Sequence, residues 1–215
     1  MRRLITPVIL LLLLASCAKK DRIITISGNV YDPALKKNIE GAEIKVKAAK
    51  VQGGVYNPSY VEIASTRSDP SGNYSVDVKV EKFAGYRFAV SKDQYFDVEK
   101  DAGTEEVEAG STYKADFNIY PVAEINLKVK NTQPQGNDDE IKYRFKNIEA
   151  ACHSCCNNTT VTGTGPTYSA DKTCEVRGEK NIIIEWVVSK KGNQHLYSDT
   201  IYTPAFKTTT YKIDY

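Results

Sequence analysis

Apolar and polar residues alternate one for one along most of this chain. A period of two is the repeat of an extended strand with one dry face and one wet face. In the first such run Ile24, Ile26, Gly28 and Val30 share one side, and Thr25, Ser27 and Asn29 share the other. The pattern recurs over residues 42–48, 74–80, 113–119, 125–129, 141–145, 182–188 and 211–215. Clusters such as Asp69-Pro70-Ser71-Gly72-Asn73, Gln133-Pro134-Gln135-Gly136-Asn137 and Lys191-Gly192-Asn193 separate the runs with turn chemistry. Beyond the N-terminal segment no long stretch repeats at helical spacing. Many short strands joined by polar turns predict an all-β chain, with two β-sandwich domains in tandem. A charged outer face on each strand predicts sheets that are wet outside and dry inside.

Composition narrows the function classes. An apolar fraction of 41% with 26% charged residues is that of a globular chain, not a disordered one. Lys and Arg number 29 against 27 Asp and Glu, so no basic surface for nucleic acid is expected. Two histidines exclude a His-rich metal or catalytic centre. Neither His153 nor His195 has a recognisable nucleophile or acid partner in the sequence. The chain therefore reads as a non-enzyme that needs no cofactor.

The N-terminus is built differently. Arg2 and Arg3 precede an apolar stretch of 12 residues, Leu4 to Ala15. That is too short to span a bilayer, which takes ~20 residues. A basic start and a short apolar core make a secretory signal peptide. It ends in Leu14-Ala15-Ser16-Cys17, which resembles the bacterial lipobox. The resemblance implies cleavage before Cys17, a diacylglycerol on its sulfur and an acyl chain on the new amine. Residues 1–16 are then the signal peptide and 17–22 a lipidated tether. Three chains anchor stably where one binds marginally. Six steps at ~3.3–3.6 Å hold the first strand within ~20 Å of the anchor. Ala18 in the second mature position resembles lipoproteins sent to the outer membrane. The absence of an acidic run after Cys17 favours a periplasm-facing position over the cell surface.

Residues 23–120 carry four segments in a characteristic order: Ile26-Ser-Gly-Asn-Val-Tyr-Asp32, Ile39-Glu-Gly-Ala-Glu-Ile-Lys-Val46, Ser68-Asp-Pro-Ser-Gly-Asn-Tyr-Ser-Val76 and Tyr86-Arg-Phe-Ala-Val-Ser-Lys92. Their order and spacing resemble the carboxypeptidase regulatory-like domain, a transthyretin-like β-sandwich. Gly41 allows the turn into the second strand, and Gly72 tolerates left-handed backbone in the hairpin turn. The segment from Lys50 to Tyr60 is longer than the family pattern and reads as an extended hairpin or loop. Pro121 marks a short, stiff boundary, and residues 121–215 form a second all-β domain with a cysteine cluster. The layout resembles lipoproteins of Bacteroidetes.

Cys152, Cys155, Cys156 and Cys174 are the most distinctive residues of that second domain. With Cys17 lipidated, these four are an even set in an exported chain, which points to two disulfides. Bonding between the adjacent Cys155 and Cys156 is disfavoured by geometry. Cys174 is expected to pair with Cys155 or Cys156. Two other readings use the same residues. One is a metal site of Cys152, Cys155 and Cys174 with His153 or Cys156. The other is a redox C-x-x-C over Cys152–Cys155, which would normally open a helix in a βαβ setting. Asp138-Asp139-Glu140 reads as a solvated turn, with a weak calcium loop as the alternative. Tyr56 and Tyr60, in or near a loop of the first domain, are candidate sugar-stacking residues.

The expected function is thus a non-catalytic envelope lipoprotein. It would act as an interaction or scaffold module held to the outer membrane by its lipid, with an envelope protein or a glycan as partner. A glycan-binding surface lipoprotein serving polysaccharide uptake or adhesion is the alternative. A thiol-redox or metal-binding lipoprotein is the third reading.

Overall fold

In the computed structural model the described residues are 23–52, 55–107, 110–149 and 152–215, without the side chains of 51–52 and 55–58. The expected signal peptide, Cys17 and the expected tether fall outside them. Among the described residues every regular element is a strand. The strands form four sheets, packed in two face-to-face pairs.

The first pair opens with β1 (Ile23–Asp32), which is flanked by β2 (Lys37–Asn38) and β5 (Asn73–Lys79). Two short parallel strands, β8 (Thr112–Lys114) and β9 (Phe117–Asn118), lie along its other edge. The facing sheet runs β4 (Val55–Arg67), β3 (Glu43–Gln52), β6 (Phe83–Ser91) and β7 (Val98–Ala102). Ile24, Ile26, Ile44, Val46 and Phe88 are fully buried between the sheets, as the alternation requires. Each such side chain contributes roughly 1.5–3 kcal/mol by leaving water. The long segment after Lys50 is an extended hairpin: β3 continues to Gln52, and β4 returns from Val55.

One run departs from the sequence expectation. Residues 113–119 do not make a continuous strand. Ala115 and Asp116 buckle out between β8 and β9. The Asp116 carboxylate accepts the Asn29 N–H at 3.0 Å, and the Tyr74 hydroxyl donates to the Ala115 carbonyl at 2.5 Å. These groups replace the missing ladder bonds. Gly28 lies directly under the buckle, where a Cβ would sit 1.9 Å from the Ala115 oxygen.

The second pair has β10 (Val122–Lys130) at the centre of a three-stranded sheet, between β13 (Ser169–Arg177) and β16 (Thr208–Asp214). Opposite lies the order β12 (Val161–Thr164), β11 (Glu140–Lys146), β14 (Lys180–Lys190) and β15 (Asn193–Thr203). Ile125, Leu127, Ile141, Ile182 and Ile184 fill the space between. The core residues of the first pair run from Ile24 to Ile119 and those of the second from Ala123 to Ile213. Asp139 corrects the reading of a solvated turn. It is fully buried, accepting N–H groups from Gln135 at 2.9 Å and from the Asn131 side chain at 2.8 Å. Burial opposes its charge, but these donors and the nearby Lys190 outweigh it and hold its carboxyl below the usual range.

Candidate functional site

The chain passes from one sandwich to the other through Tyr120-Pro121-Val122 without a free linker. Tyr120 O accepts the Phe96 N–H at 3.0 Å, and the Val122 N–H donates to Gln94 O at 2.8 Å. On the other side Pro121 O accepts from Gly178, and Val122 O accepts from Phe206, both at 2.8 Å. Three residues are thereby stitched into both bodies. Side chains reinforce them. The Tyr95 ring meets Phe206 edge-on at 5.4 Å, Lys37 lies over the opposite sandwich's Phe206, and the Arg177 guanidinium sits 3.9 Å from the Tyr120 ring centroid. Each such cation–ring contact is worth about 0.5–1 kcal/mol at an exposed position. Burial, then the Asp32 carboxylate, push the Tyr95 hydroxyl up to about 12. A cleft of about 890 Å³ runs along this seam, with Tyr95 and Asp97 on one wall and Cys152, Glu175 and Arg177 on the other.

The cysteine cluster borders that cleft. Cys152 is bonded to Cys155 with Cα atoms 5.0 Å apart, and Cys156 to Cys174 with Cα atoms 4.9 Å apart. Cys155 forms a parallel bridge with Glu175 of β13, which lays residues 154–156 alongside that strand. The Glu175 N–H donates to Ser154 O at 3.0 Å, and the Cys156 N–H donates to Glu175 O at 2.9 Å. In an extended segment adjacent side chains point to opposite faces. Cys156 therefore turns into the core towards Cys174, while Cys155 closes the tight turn back to the exposed Cys152. The two bridges lock the edge of the three-stranded sheet. Cys152, Cys155 and Glu175 do converge within 4.8 Å. Cys174, which the metal reading needs in the same set, is instead tied to Cys156. The C-x-x-C spacing falls on a turn beside a strand edge and not on a helix start.

Tyr60 lies on the outer face of the β4–β3–β6–β7 sheet, with the Arg87 guanidinium 4.4 Å from its ring centroid. One of its faces is thus already covered by a cation. The Tyr56 side chain lies outside the described residues. Around Tyr60 runs a ladder of ion pairs, Lys47 with Glu99 at 3.2 Å and Arg87 with Asp101 at 2.6 Å. The Arg87 hydrogen bonds hold the Asp101 carboxyl below its ordinary range. On the second sandwich Lys146 and then Arg144 do the same for Glu185, and Lys180 with Arg177 for Glu149. Such exposed pairs contribute little to stability, because water and salt screen them. They give the outer faces their charge pattern without holding the fold.

A different aromatic group was not singled out from sequence. Trp186 on β14 stacks on Tyr197 of β15 at 5.5 Å and 16°, with Tyr211 of β16 edge-on to it at 6.4 Å. The signal was present as aromatics at 186, 211 and 215 in the alternating runs, but the pairing of β14 with β15 is what adds Tyr197 and His195.

No family model matches the chain, and no curated protein does. Solved structures give weak likenesses. The TIE protein of Bacillus anthracis is 12% identical, covering 90% of this chain and 34% of its own, with a TM-score of 0.38. The shaft pilin SpaA of Lactobacillus rhamnosus is 8% identical over 90% of this chain and 97% of its own, with a TM-score of 0.32. A 3-chlorocatechol 1,2-dioxygenase of Rhodococcus opacus is 11% identical over 46% of this chain, with a TM-score of 0.34. The chain spans 59% of that dioxygenase and about a third of the TIE protein. Similarity at this level carries no conclusion about activity. The β-sandwich architecture stands on the strand order and the two buried cores.

Proposed function

We propose that this chain is a non-catalytic cell-envelope lipoprotein, tethered to the outer membrane through lipidated Cys17, whose two sandwiches act as one stiff interaction or scaffold module. In this reading residues 23–120 are a carboxypeptidase regulatory-like domain next to the bilayer. Residues 121–215 are the distal, disulfide-stapled domain that meets an envelope partner. The observation that carries the proposal is the junction. Tyr120-Pro121-Val122 shares its backbone hydrogen bonds between both sandwiches, and Tyr95, Phe206, Arg177 and Tyr120 pack across it. A module that only had to bind would tolerate a loose linker, whereas a scaffold must hold two surfaces in fixed relation. The periplasm-facing side of the outer membrane is the position this reading assigns.

The stiffness is measurable. In ¹⁵N relaxation of the soluble Cys17→Ser mature chain, both sandwiches should tumble with one shared rotational correlation time. Two shorter and distinct times would mean independent domains and would remove the support for a scaffold.

A further inference from the structure

We propose that the open side of the second sandwich, between β15 and the end of β16, is a binding cleft for a neutral oligosaccharide. This inference does not rest on the scaffold reading. Trp186 pairs with Tyr197, Val188 with His195 and Lys190 with Asn193 across the β14–β15 ladder. Directly paired residues share a face. That face is the inward one, since it continues into the buried Ile182, Ile184 and Ile201. Yet from Asn193 to Asp199 it is uncovered, and Tyr197 is 45% exposed. The cause is the strand count. A four-stranded sheet faces a three-stranded one, so half of β15 overhangs β16. Tyr211 on β16 marks where cover ends, donating its hydroxyl to Asp199 at 2.5 Å.

The overhang leaves a cleft of about 410 Å³. Its floor is aromatic, with Trp186 stacked on Tyr197 and Tyr215 across from them. Its rim carries the amides of Gln133, Gln135 and Asn193 and the carboxylate of Asp214. Lys190 also lines it, but its charge is already engaged. Its ammonium donates to Asn131 Oδ1 at 2.9 Å and Gln133 O at 2.6 Å, 3.9 Å from the buried Asp139 carboxylate. With Lys190 engaged and Asp214 on the rim, the cleft is not arranged for a phosphate or carboxylate. What remains is the Trp186–Tyr197 stack, with His195 beside Tyr197 and the Lys190 ammonium over the Tyr215 ring, ringed by side-chain amides that both donate and accept. A pyranose matches both parts, offering an axial C–H face to the ring and hydroxyls to the amides. A proline-rich peptide would match the aromatic floor but offers only carbonyl acceptors to the rim. The volume is in the lower part of the range of small-ligand sites, roughly 300–1,000 Å³.

Trp186 is the chain's only tryptophan, so its emission reports from this cleft alone. The mature Cys17→Ser chain is titrated with cellohexaose, xylohexaose, maltohexaose and chitohexaose, and with a decaproline control, to roughly 10 mM, well above a millimolar dissociation constant. At least one oligosaccharide should give a saturable change in Trp186 emission. Tyr197→Ala should weaken that binding about tenfold or more while leaving the melting temperature in place. If Tyr197→Ala fails to fold, Asn193→Ala on the rim takes its place and should also weaken binding. No saturable response to any of the four sugars, a response to decaproline alone, or unchanged affinity in the variant overturns the proposal.

Discussion

Replacing both Cys156 and Cys174 by Ala should lower the stability of the second sandwich by about 3 kcal/mol. The bridge closes a loop with a sequence separation of 18, and chain entropy assigns about that amount to a loop of this length. Both sulfurs are buried in the core beside Leu127 and Tyr143, so their loss also leaves unfilled space. Most residues of the closed segment, Asn157 to Thr173, are exposed, and Val161, Tyr168 and Ala170 pack against the core only in part. For a domain of this size each kcal/mol moves the melting temperature by roughly 4–8 °C. The Cys152→Ala/Cys155→Ala pair should cost less, about 2 kcal/mol at most, because its loop spans only a separation of 3. Differential scanning calorimetry of the two double variants checks the order. Equal melting temperatures for wild type and the Cys156/Cys174 variant would contradict the assigned role of that bridge.

Gly28→Ala should destabilise the first sandwich by about 3 kcal/mol or more, the upper end for inserting one methyl into packed structure. The obstacle is backbone, not a side chain that could swing away. A Cβ at residue 28 would lie 1.9 Å from the Ala115 oxygen and 2.6 Å from its carbon. Relief requires the Ala115–Asp116 buckle to move off β1. That motion breaks the Ala115 N–H bond to Ser27 O at 2.8 Å and the Tyr74 bond to Ala115 O. Tyr74→Phe deletes only the last of these and should cost about 1 kcal/mol. Urea denaturation of both variants separates the effects. If Gly28→Ala were no worse than Tyr74→Phe, β1 and the buckle would not be in the close contact described.

Much of this architecture was legible in the alternation. The strands whose inner face is covered, such as β1, β3, β10, β11 and the first part of β14, read directly from it. β15 did not, because its overhanging half carries Asn193, His195, Tyr197 and Asp199 on the inward side. No hydrophobic period marks a face that nothing covers. The buckle at Ala115 was invisible for another reason: Tyr113, Ala115, Phe117 and Ile119 keep the strand period while the Ala115 carbonyl and the Asn29 N–H are bonded to side chains instead of to each other. Asp139 looked like part of a solvated acidic turn. Its burial depends on Asn131, just past the end of β10, and on Lys190 at the end of β14. The cysteine pairing likewise stayed open in sequence, since only the placement of residues 154–156 along β13 decides which sulfur faces the core. Each of these depends on which strand lies beside which, and local pattern does not carry that information.

The anchor at Cys17 is the claim on which the envelope reading depends. Intact mass spectrometry of the protein extracted by detergent from bacterial outer membranes tests it most directly. The expected species begins at Cys17 and is heavier than its sequence by a diacylglycerol on the sulfur and an acyl chain on the amine. A chain that keeps residues 1–16, or that begins elsewhere and carries no lipid, would contradict it.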